Sequence, residues 1–248
     1  MSQVKHKRIL LVIGGEAMRG DKEYGIDLKA VKKVVEEVKS IYTKHVQIAI
    51  TVGGGNIFKS TRSYTEGFDR TTADYMEMMA TVMNGLSLQD ELEKIGIPTR
   101  MQSALQMPAV AESFIRRKAI RHMEKGRVVI LCAGTGVPFV TSDAGATLHA
   151  LELHCDILMK TTKVSGIYNT DPTKDTKARH FKTLNYKDAI EMQNTNIIDT
   201  AALSMASENN LPIMVFELFK EDNLVKAVAG ENVGTLLSND VETEMTAE

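Results

Sequence analysis

The stretch R-I-L-L-V-I-G-G-E-A-M at residues 8–18 decides the fold of this 248-residue chain. Residues 9–13 are apolar without a break and run directly into the pair Gly14 and Gly15. An uninterrupted apolar run of this length is typical of a strand buried on both faces of a parallel sheet. Backbone N–H groups at such a turn can bind phosphate, although a glycine pair after a strand more often forms only a tight turn.

The same order of strand, glycine turn and helix recurs along the chain. A predicted strand at residues 46–52 precedes Gly53-Gly54-Gly55, and another at residues 127–133 precedes Gly134-Thr135-Gly136. Repeated alternation of strands and helices predicts parallel pairing with right-handed crossovers. The predicted fold class is therefore α/β, a three-layer αβα sandwich around a central, mostly parallel sheet.

Periodicity places the other elements. After the potential N-cap Asp27, apolar residues recur at helical spacing: Leu28, Val31, Val34, Val35, Val38 and Ile41. Further helices are predicted at residues 69–95, 108–125, 144–154, 186–192, 199–209 and 224–229, and strands at 97–101, 156–161 and 211–216. No repeat or Pro/Ser-rich linker divides the chain. We predict one domain over residues 1–238 and a disordered acidic tail at residues 239–248.

Composition excludes several classes of protein. The net charge of −2 gives no bulk electrostatic case for binding nucleic acid or a membrane surface. No apolar run reaches the roughly 18 residues of a membrane-spanning helix, and residues 9–13 are too short for a signal-peptide core. Cys132 and Cys155 lack a second pair nearby, which argues against a zinc site or disulfide framework and predicts a cytoplasmic protein with no metal site of its own side chains.

The glycine turns predict the ligand. Open parallel sheets bind ligands beyond the carboxyl ends of their strands, so three such turns predict a polyanion such as a nucleotide or two. Lys160 and Lys163 follow a predicted strand and are candidate phosphate cations. The sequence has no G-x-x-x-x-G-K-[ST] motif, which excludes a P-loop site. Phosphoryl transfer needs such N–H groups and cations, with Mg²⁺ bridging the phosphate oxygens.

Five strings carry a family resemblance. They are G-G-G-N-I-F at residues 53–58, D-x-x-x-x-x-A-T-V-M-N-G-L at 74–86, R-V-V-I-L-C-A-G-T-G-x-P-F at 127–139, K-x-T-K-V-x-G-I-Y-x-x-D-P at 160–172 and G-E-x-x-G-T-L-L at 230–237. Over residues 7–237 the chain resembles the bacterial uridylate (UMP) kinases of the amino acid kinase superfamily. This resemblance implies the amino acid kinase fold and Mg²⁺-dependent transfer of the ATP γ-phosphoryl group to UMP. It also implies a homohexamer and GTP or UTP effectors, with residues 20–25 in the effector region.

The resemblance assigns roles to individual positions. It implies that UMP is held by Gly54, Asp74, Thr135, Gly136, Val137, Pro138, Phe139, Val140, Thr141 and Ser142, with Asp74 on the ribose hydroxyls. It places ATP against Val12, Ile13, Gly14, Gly15, Gly55, Lys59, Thr162, Tyr168 and Asp171, with Tyr168 near the adenine. The implied catalytic residues are Lys160, Lys163, Asp143 and Lys59.

The chain departs from the family pattern where the phosphates would lie. The family has lysine and serine where this chain has Val12 and Gly14, and arginine at Lys59. It has asparagine, an aromatic residue and aspartate at Val137, Val140 and Ser165. Losing one preorganised charge-stabilising group costs roughly 10²–10³ in rate. We therefore expect a changed or disabled site on an intact scaffold.

Three functions stay open on these residues. The first is a UMP kinase, with full or reduced activity. The second is a non-catalytic nucleotide-binding or oxyanion-storage relative, in which His149, His154 and Cys155 would form a binding cluster, although a histidine on such a helix is more often a core residue. The third is a kinase for another small acid, such as a carbamate or an amino acid carboxylate.

Overall fold

A computed structural model describes residues 4–63, 65–192 and 198–246. Its strands are β1 (Arg8–Ile13), β2 (Gln47–Val52), β3 (Thr99–Ser103), β4 (Glu112–Ser113), β5 (Val128–Cys132), β6 (Ile157–Thr162), β7 (Phe181–Asn185), β8 (Ile213–Glu217), β9 (Thr235–Ser238) and β10 (Glu244–Met245). Its helices are α1 (Gly15–Arg19), α2 (Leu28–Tyr42), α3 (Ser60–Ser63), α4 (Arg70–Lys94), α5 (Arg116–Glu124), α6 (Ser142–Glu152), α7 (Tyr186–Glu191), α8 (Thr200–Glu208) and α9 (Asn223–Val228).

The strands join into one sheet in the order β10-β7-β9-β8-β6-β1-β2-β5-β3-β4. Every neighbouring pair is parallel except β8 with β9 and β10 with β7. Strand β1 lies in the interior, where Ile9 is in register with Ile48 on one side and Ile157 on the other. The predicted mostly parallel sheet is confirmed, and its central position explains the unbroken apolar run of β1.

Side chains of β1 alternate between two helical layers. Ile9, Leu11 and Ile13 belong to the core shared with α1, α2, α4 and α9. Leu10 and Val12 belong to the core shared with α5, α6, α7 and α8. Because both faces of the sheet are covered by helices, the predicted αβα sandwich is confirmed.

Helix α2 forms where the spacing predicted it. The carboxylate of Asp27 accepts the N–H groups of Lys29 (2.7 Å) and Ala30 (3.2 Å), which satisfies two free donors of the first turn. These hydrogen bonds lower the pKa of the Asp27 carboxyl. The predicted apolar residues from Val31 to Ile41 are buried against the sheet.

Two predicted segments differ in the structure. The helix predicted at residues 108–125 begins only at Arg116, because β4 first pairs in parallel with β3 through Glu112 and Ser113. The tail predicted to be disordered contributes β10, antiparallel to β7. Asn239 ties this segment to α8 by donating to the Ser207 carbonyl oxygen at 2.7 Å. Polar contacts of this kind leave no apolar pattern in the sequence. Residues 247 and 248 lie outside the described residues.

Among the residues that the structure describes, no helix combines the length and apolar character needed to cross a membrane. The prediction of a single domain over residues 1–238 stays a prediction.

Helix α4 packs so closely on the sheet that Gly85 leaves no room for a side chain. A Cβ atom there would lie 2.8 Å from Sδ of Met101 and would also collide with Sγ of Cys132. We expect Gly85→Ala to lower the free energy of unfolding by about 1–3 kcal/mol through overpacking, despite the higher helix propensity of alanine. Urea denaturation measures this change.

Gly145→Ala in α6 is the matched control, because a Cβ there would meet only an ordinary contact, 3.5 Å from Cγ2 of Thr135. Its stability should stay equal or rise. Equal effects of the two substitutions would contradict the close approach of α4 to β3 and β5.

Candidate active site

Four strand ends meet at one edge of the sheet. Strands β6, β1, β2 and β5 are adjacent and parallel, so their carboxyl ends point the same way. The three predicted glycine turns follow β1, β2 and β5, and Lys163 follows β6. The structure thus brings the three turns and the lysine pair to the edge where open parallel sheets bind their ligands.

The first two turns are in direct contact. The N–H of Gly53 donates to the carbonyl oxygen of Ile13 at 2.9 Å. A Cβ atom on Gly15 would lie 2.8 Å from the carbonyl oxygen of Gly53 and would collide with Oδ1 of Asn56. Gly15 is therefore required by the close approach of a neighbouring backbone.

A buried pair of asparagines holds this contact. Nδ2 of Asn84 donates to Oδ1 of Asn56 (2.7 Å) and to the carbonyl oxygen of Gly53 (2.7 Å). Nδ2 of Asn56 donates back to Oδ1 of Asn84 (3.0 Å) and to the carbonyl oxygen of Gly25 (2.9 Å). Both side chains are at most 2% exposed. The pair connects α4, the second glycine turn and the loop that the resemblance assigns to effectors. The sequence analysis did not predict this pair, although Asn56 and Asn84 both lie in strings that carry the family resemblance.

Lys160, one of the predicted catalytic lysines, forms an ion pair near the carboxyl end of β6. Nζ of Lys160 lies 2.6 Å from both carboxylate oxygens of Asp143, in the first turn of α6, and each side chain is only 17% exposed. Lys160 is in register with Val12 on β1. Val12, Lys160 and Asp143 together line a cavity of about 10 Å³. The valine, 9% exposed, therefore packs beside the cation instead of supplying one.

Lys163 forms a second ion pair at the same edge, with Glu16 of α1. Its hydrogen bond lowers the pKa of the Glu16 carboxyl, and the charges of Arg19 and Lys59 act in the same direction. Lys59 is exposed. Lys160 and Lys163 thus each pair with a carboxylate, Asp143 and Glu16. The sequence analysis predicted Asp143 as a site residue but not Glu16.

A cleft of about 990 Å³ opens beside this edge. The predicted residues Gly14, Thr162 and Lys163 line it. Leu218 and Phe219, which follow β8, also line it together with charged side chains of α2. Sequence reasoning missed these two residues because no glycine follows β8, although its carboxyl end reaches the same edge.

Two residues predicted to bind ATP lie on the loop after β6 and do not line this cleft. The ring of Tyr168 lies 5.2 Å from that of His180, whose pKa is lowered by burial. Asp171 accepts the N–H (2.9 Å) and hydroxyl (2.7 Å) of Thr173, which lowers the pKa of its carboxyl. Their contact with ATP stays a prediction.

The loop after β5 folds over Asp74, and the contact of both with UMP stays a prediction. The N–H of Phe139, a residue with a positive φ of 70°, donates to Oδ2 of Asp74 at 2.9 Å. The guanidinium carbon of Arg70 lies 4.6 Å from the centre of the Phe139 ring. Thr141 caps α6 by accepting the N–H of Ala144 at 3.1 Å. Val137, Phe139 and Val140 are exposed.

The histidines of the alternative binding cluster have separate structural partners. His149 is buried, with Nε2 3.0 Å from the carbonyl oxygen of Gly134 and Nδ1 3.1 Å from Oε2 of Glu152. His154 instead contacts Arg116. Burial raises the pKa of the Cys155 thiol to about 12. His149 therefore supports the third glycine turn.

Because Asn84 serves two buried acceptors, we expect Asn84→Ala to lower the free energy of unfolding by about 2–6 kcal/mol, at about 1–3 kcal/mol for each group left unsatisfied. Urea denaturation followed by circular dichroism measures the loss. Gln89→Ala, one turn further along α4 at a half-buried position, is the control and should change stability by about 0.5 kcal/mol or less. Equal losses would mean that the asparagine pair contributes no specific stability.

Comparison with known proteins agrees with this architecture. The sequence profile of the Amino acid kinase family matches residues 7–217. The chain is similar to the crystal structure of UMP kinase from Bacillus anthracis, with a TM-score of 0.93 and 30% identity over 98% of this chain and 99% of that one. UMP kinase from Ureaplasma parvum gives a TM-score of 0.87 and 28% identity over 94% and 99%. Uridylate kinase from Archaeoglobus fulgidus shares the fold, with a TM-score of 0.71 and 24% identity over 93% and 99%. The chain belongs to the amino acid kinase family.

Proposed function

We propose that this protein transfers the γ-phosphoryl group of ATP to UMP, yielding UDP for pyrimidine nucleotide synthesis. The observation that carries the proposal is the meeting of three glycine turns with Lys160 and Lys163 at one edge of the sheet. The likeness to two bacterial UMP kinases over nearly the whole chain supports UMP as the acceptor.

The proposed chemistry needs positioning and charge more than covalent catalysis. A phosphate oxygen of UMP is already a nucleophile, so in-line attack on the γ-phosphorus requires no general base. Lys160 and Lys163 would spread the charge that develops on the transferred group, and backbone N–H groups of the glycine turns would orient it. Asp143 would hold the Lys160 ammonium in place through its two 2.6 Å contacts.

The residues present fit a nucleotide-borne Mg²⁺ better than a protein-built metal site. No group of three or more His, Cys, Asp or Glu residues suited to a metal occurs in the described ranges. Mg²⁺ in phosphotransferases needs only one or two carboxylates besides the phosphates, and Asp143 and Glu16 are two carboxylates at this edge. When bound, Mg²⁺ would neutralise phosphate charge.

The proposal includes a homohexamer that responds to GTP or UTP. An exposed apolar stripe on α4 supports self-association, because its members recur every three or four residues: Tyr75, Met79, Met83 and Leu86. The effector response rests on the resemblance alone.

A second candidate function is a non-catalytic nucleotide-binding relative. The observation that favours it is that Lys160 and Lys163 are each paired with a carboxylate, while Val12 adds no further cation beside them. Such a site would bind nucleotide without turning it over.

A coupled ADP-release assay with ATP, Mg²⁺ and UMP separates the two candidates. We expect ADP release that depends on UMP and stops when EDTA removes the metal. Lys160→Met should lower turnover by roughly 10²–10³ because it removes a preorganised cation. Lys182→Met is the control, since this exposed lysine lies on β7, three strands away from β6 in the sheet, and pairs with Glu244.

The double variant Lys160→Met with Asp143→Asn removes the carboxylate that the single variant leaves unpaired. If the single variant is as stable as the double variant in urea denaturation, its loss of turnover reflects the missing cation and not an unpaired buried charge. Equilibrium binding of ATP and UMP without ADP release above the UMP-free background would support the non-catalytic candidate and contradict the kinase.

A further inference from the structure

The loop after β6 returns to the sheet through a short antiparallel pairing that sets His180 opposite Tyr168. The two residues form an antiparallel bridge, and next to it the N–H of Phe181 donates to the carbonyl oxygen of Ile167 at 2.8 Å. Directly opposed residues of antiparallel strands present their side chains on the same face. The two rings accordingly pack as a tilted pair, with centres 5.2 Å apart and 46° between their planes.

The imidazole of His180 is itself tied to strand β9. Its Nε2 lies 3.2 Å from Oγ1 of Thr235, a fully buried residue. The hydroxyl of Thr235 donates its proton to the carbonyl oxygen of Phe181 at 2.5 Å, so Nε2 of His180 is the donor toward Oγ1. The same Oγ1 accepts the N–H of Ile167 at 2.8 Å. One buried hydroxyl therefore holds both sides of the short pairing and the imidazole.

Further contacts restrict His180 from other sides. A Cβ atom on Gly166 would collide with Nε2 of His180 and would lie 2.9 Å from the backbone nitrogen of Thr235. The N–H (2.9 Å) and the hydroxyl (3.1 Å) of Thr246 both donate to the carbonyl oxygen of His180. Burial, followed by the charge of Lys220, lowers the pKa of His180, so its ring is neutral at pH 7.5. The imidazole is thus held in one place as an uncharged ring.

Tyr168 has less support of its own. Its side chain is half-buried, and its hydroxyl makes no hydrogen bond within the part of the chain that the structure describes. The ring of His180 is the aromatic partner that fixes its orientation. A side chain that is already oriented loses less conformational entropy when a ligand binds to it, and the ligand binds more tightly as a result.

We propose that His180 is a positioning residue for the phosphate donor: it holds the ring of Tyr168 in the orientation in which that ring contacts the adenine base. The inference rests on the proposed function, since it takes ATP as the donor and Tyr168 as a contact of its adenine. His180 acts only through Tyr168 and takes no part in the transfer of the phosphoryl group.

Calorimetric titration of ATP with Mg²⁺ at pH 7.5, without UMP, tests whether the two residues act as a unit. We expect His180→Gln to weaken ATP binding by about three- to tenfold, the size of one lost aromatic pair, and Tyr168→Ala to weaken it at least as much. The glutamine retains an N–H donor for Thr235. Because His180 acts through Tyr168, the double variant should bind ATP no more weakly than Tyr168→Ala alone.

His122→Ala is the control for these titrations. This half-buried histidine lies on α5 and contacts Glu112 at 3.1 Å, on the other side of the sheet centre from β7 and β9. Its loss should leave ATP affinity unchanged. In the ADP-release assay His180→Gln should raise KM for ATP by the factor seen in binding, with kcat and KM for UMP changed by about twofold or less. A general loss of folded structure would lower kcat as well.

Unchanged ATP affinity in either single variant, or losses that multiply in the double variant, would overturn the inference and leave the proposed kinase activity intact. The expected losses in ATP binding without UMP-dependent ADP release in the unaltered protein would contradict the kinase and support the inference.

Discussion

The contact between the first two glycine turns is the constraint on which the rest of the site depends. Strand β1 can place Gly14 and Gly15 beside Gly53 only because residue 15 has no side chain and because the Asn56–Asn84 pair satisfies the buried polar groups around it. Unpaired, these groups would each cost free energy in a site closed to water. The same hydrogen bonds fix α4, which carries Asp74, relative to the strand ends. One polar cluster therefore sets the position of both predicted nucleotide sites.

The positive charges at the strand ends are already neutralised by nearby carboxylates. Lys160 and Lys163 each face a carboxylate. An incoming polyanion must therefore compete with Asp143 and Glu16 for the lysines. The binding free energy of a polyanion is then the difference between its ion pairs with the lysines and those that the lysines make with Asp143 and Glu16. A change of one charge therefore has a large effect on this difference.

The fold followed from the sequence because its signal is apolar and local. The apolar run in β1 predicts a strand buried on both faces, and the helical spacing from Val31 to Ile41 predicts a helix with one buried face. Much of the candidate site was predicted from the glycines at the strand ends and from the sequence strings shared with the family. Phe219 and Asn84 were missed because their positions at the site depend on which strands become neighbours, and no periodicity encodes that. The start of α5 and the pairing of β10 were missed because short polar strands are stabilised by hydrogen bonds to distant partners.

The two outermost strands of the described sheet, β10 and β4, are only two residues long each. A long open edge would offer a row of unpaired backbone groups to another molecule, whereas strands this short offer almost none. Sheet extension from one molecule to the next is therefore disfavoured at both ends. A contact between copies of this chain is therefore expected to use the helical layers, where side-chain complementarity decides the arrangement without altering the strand order.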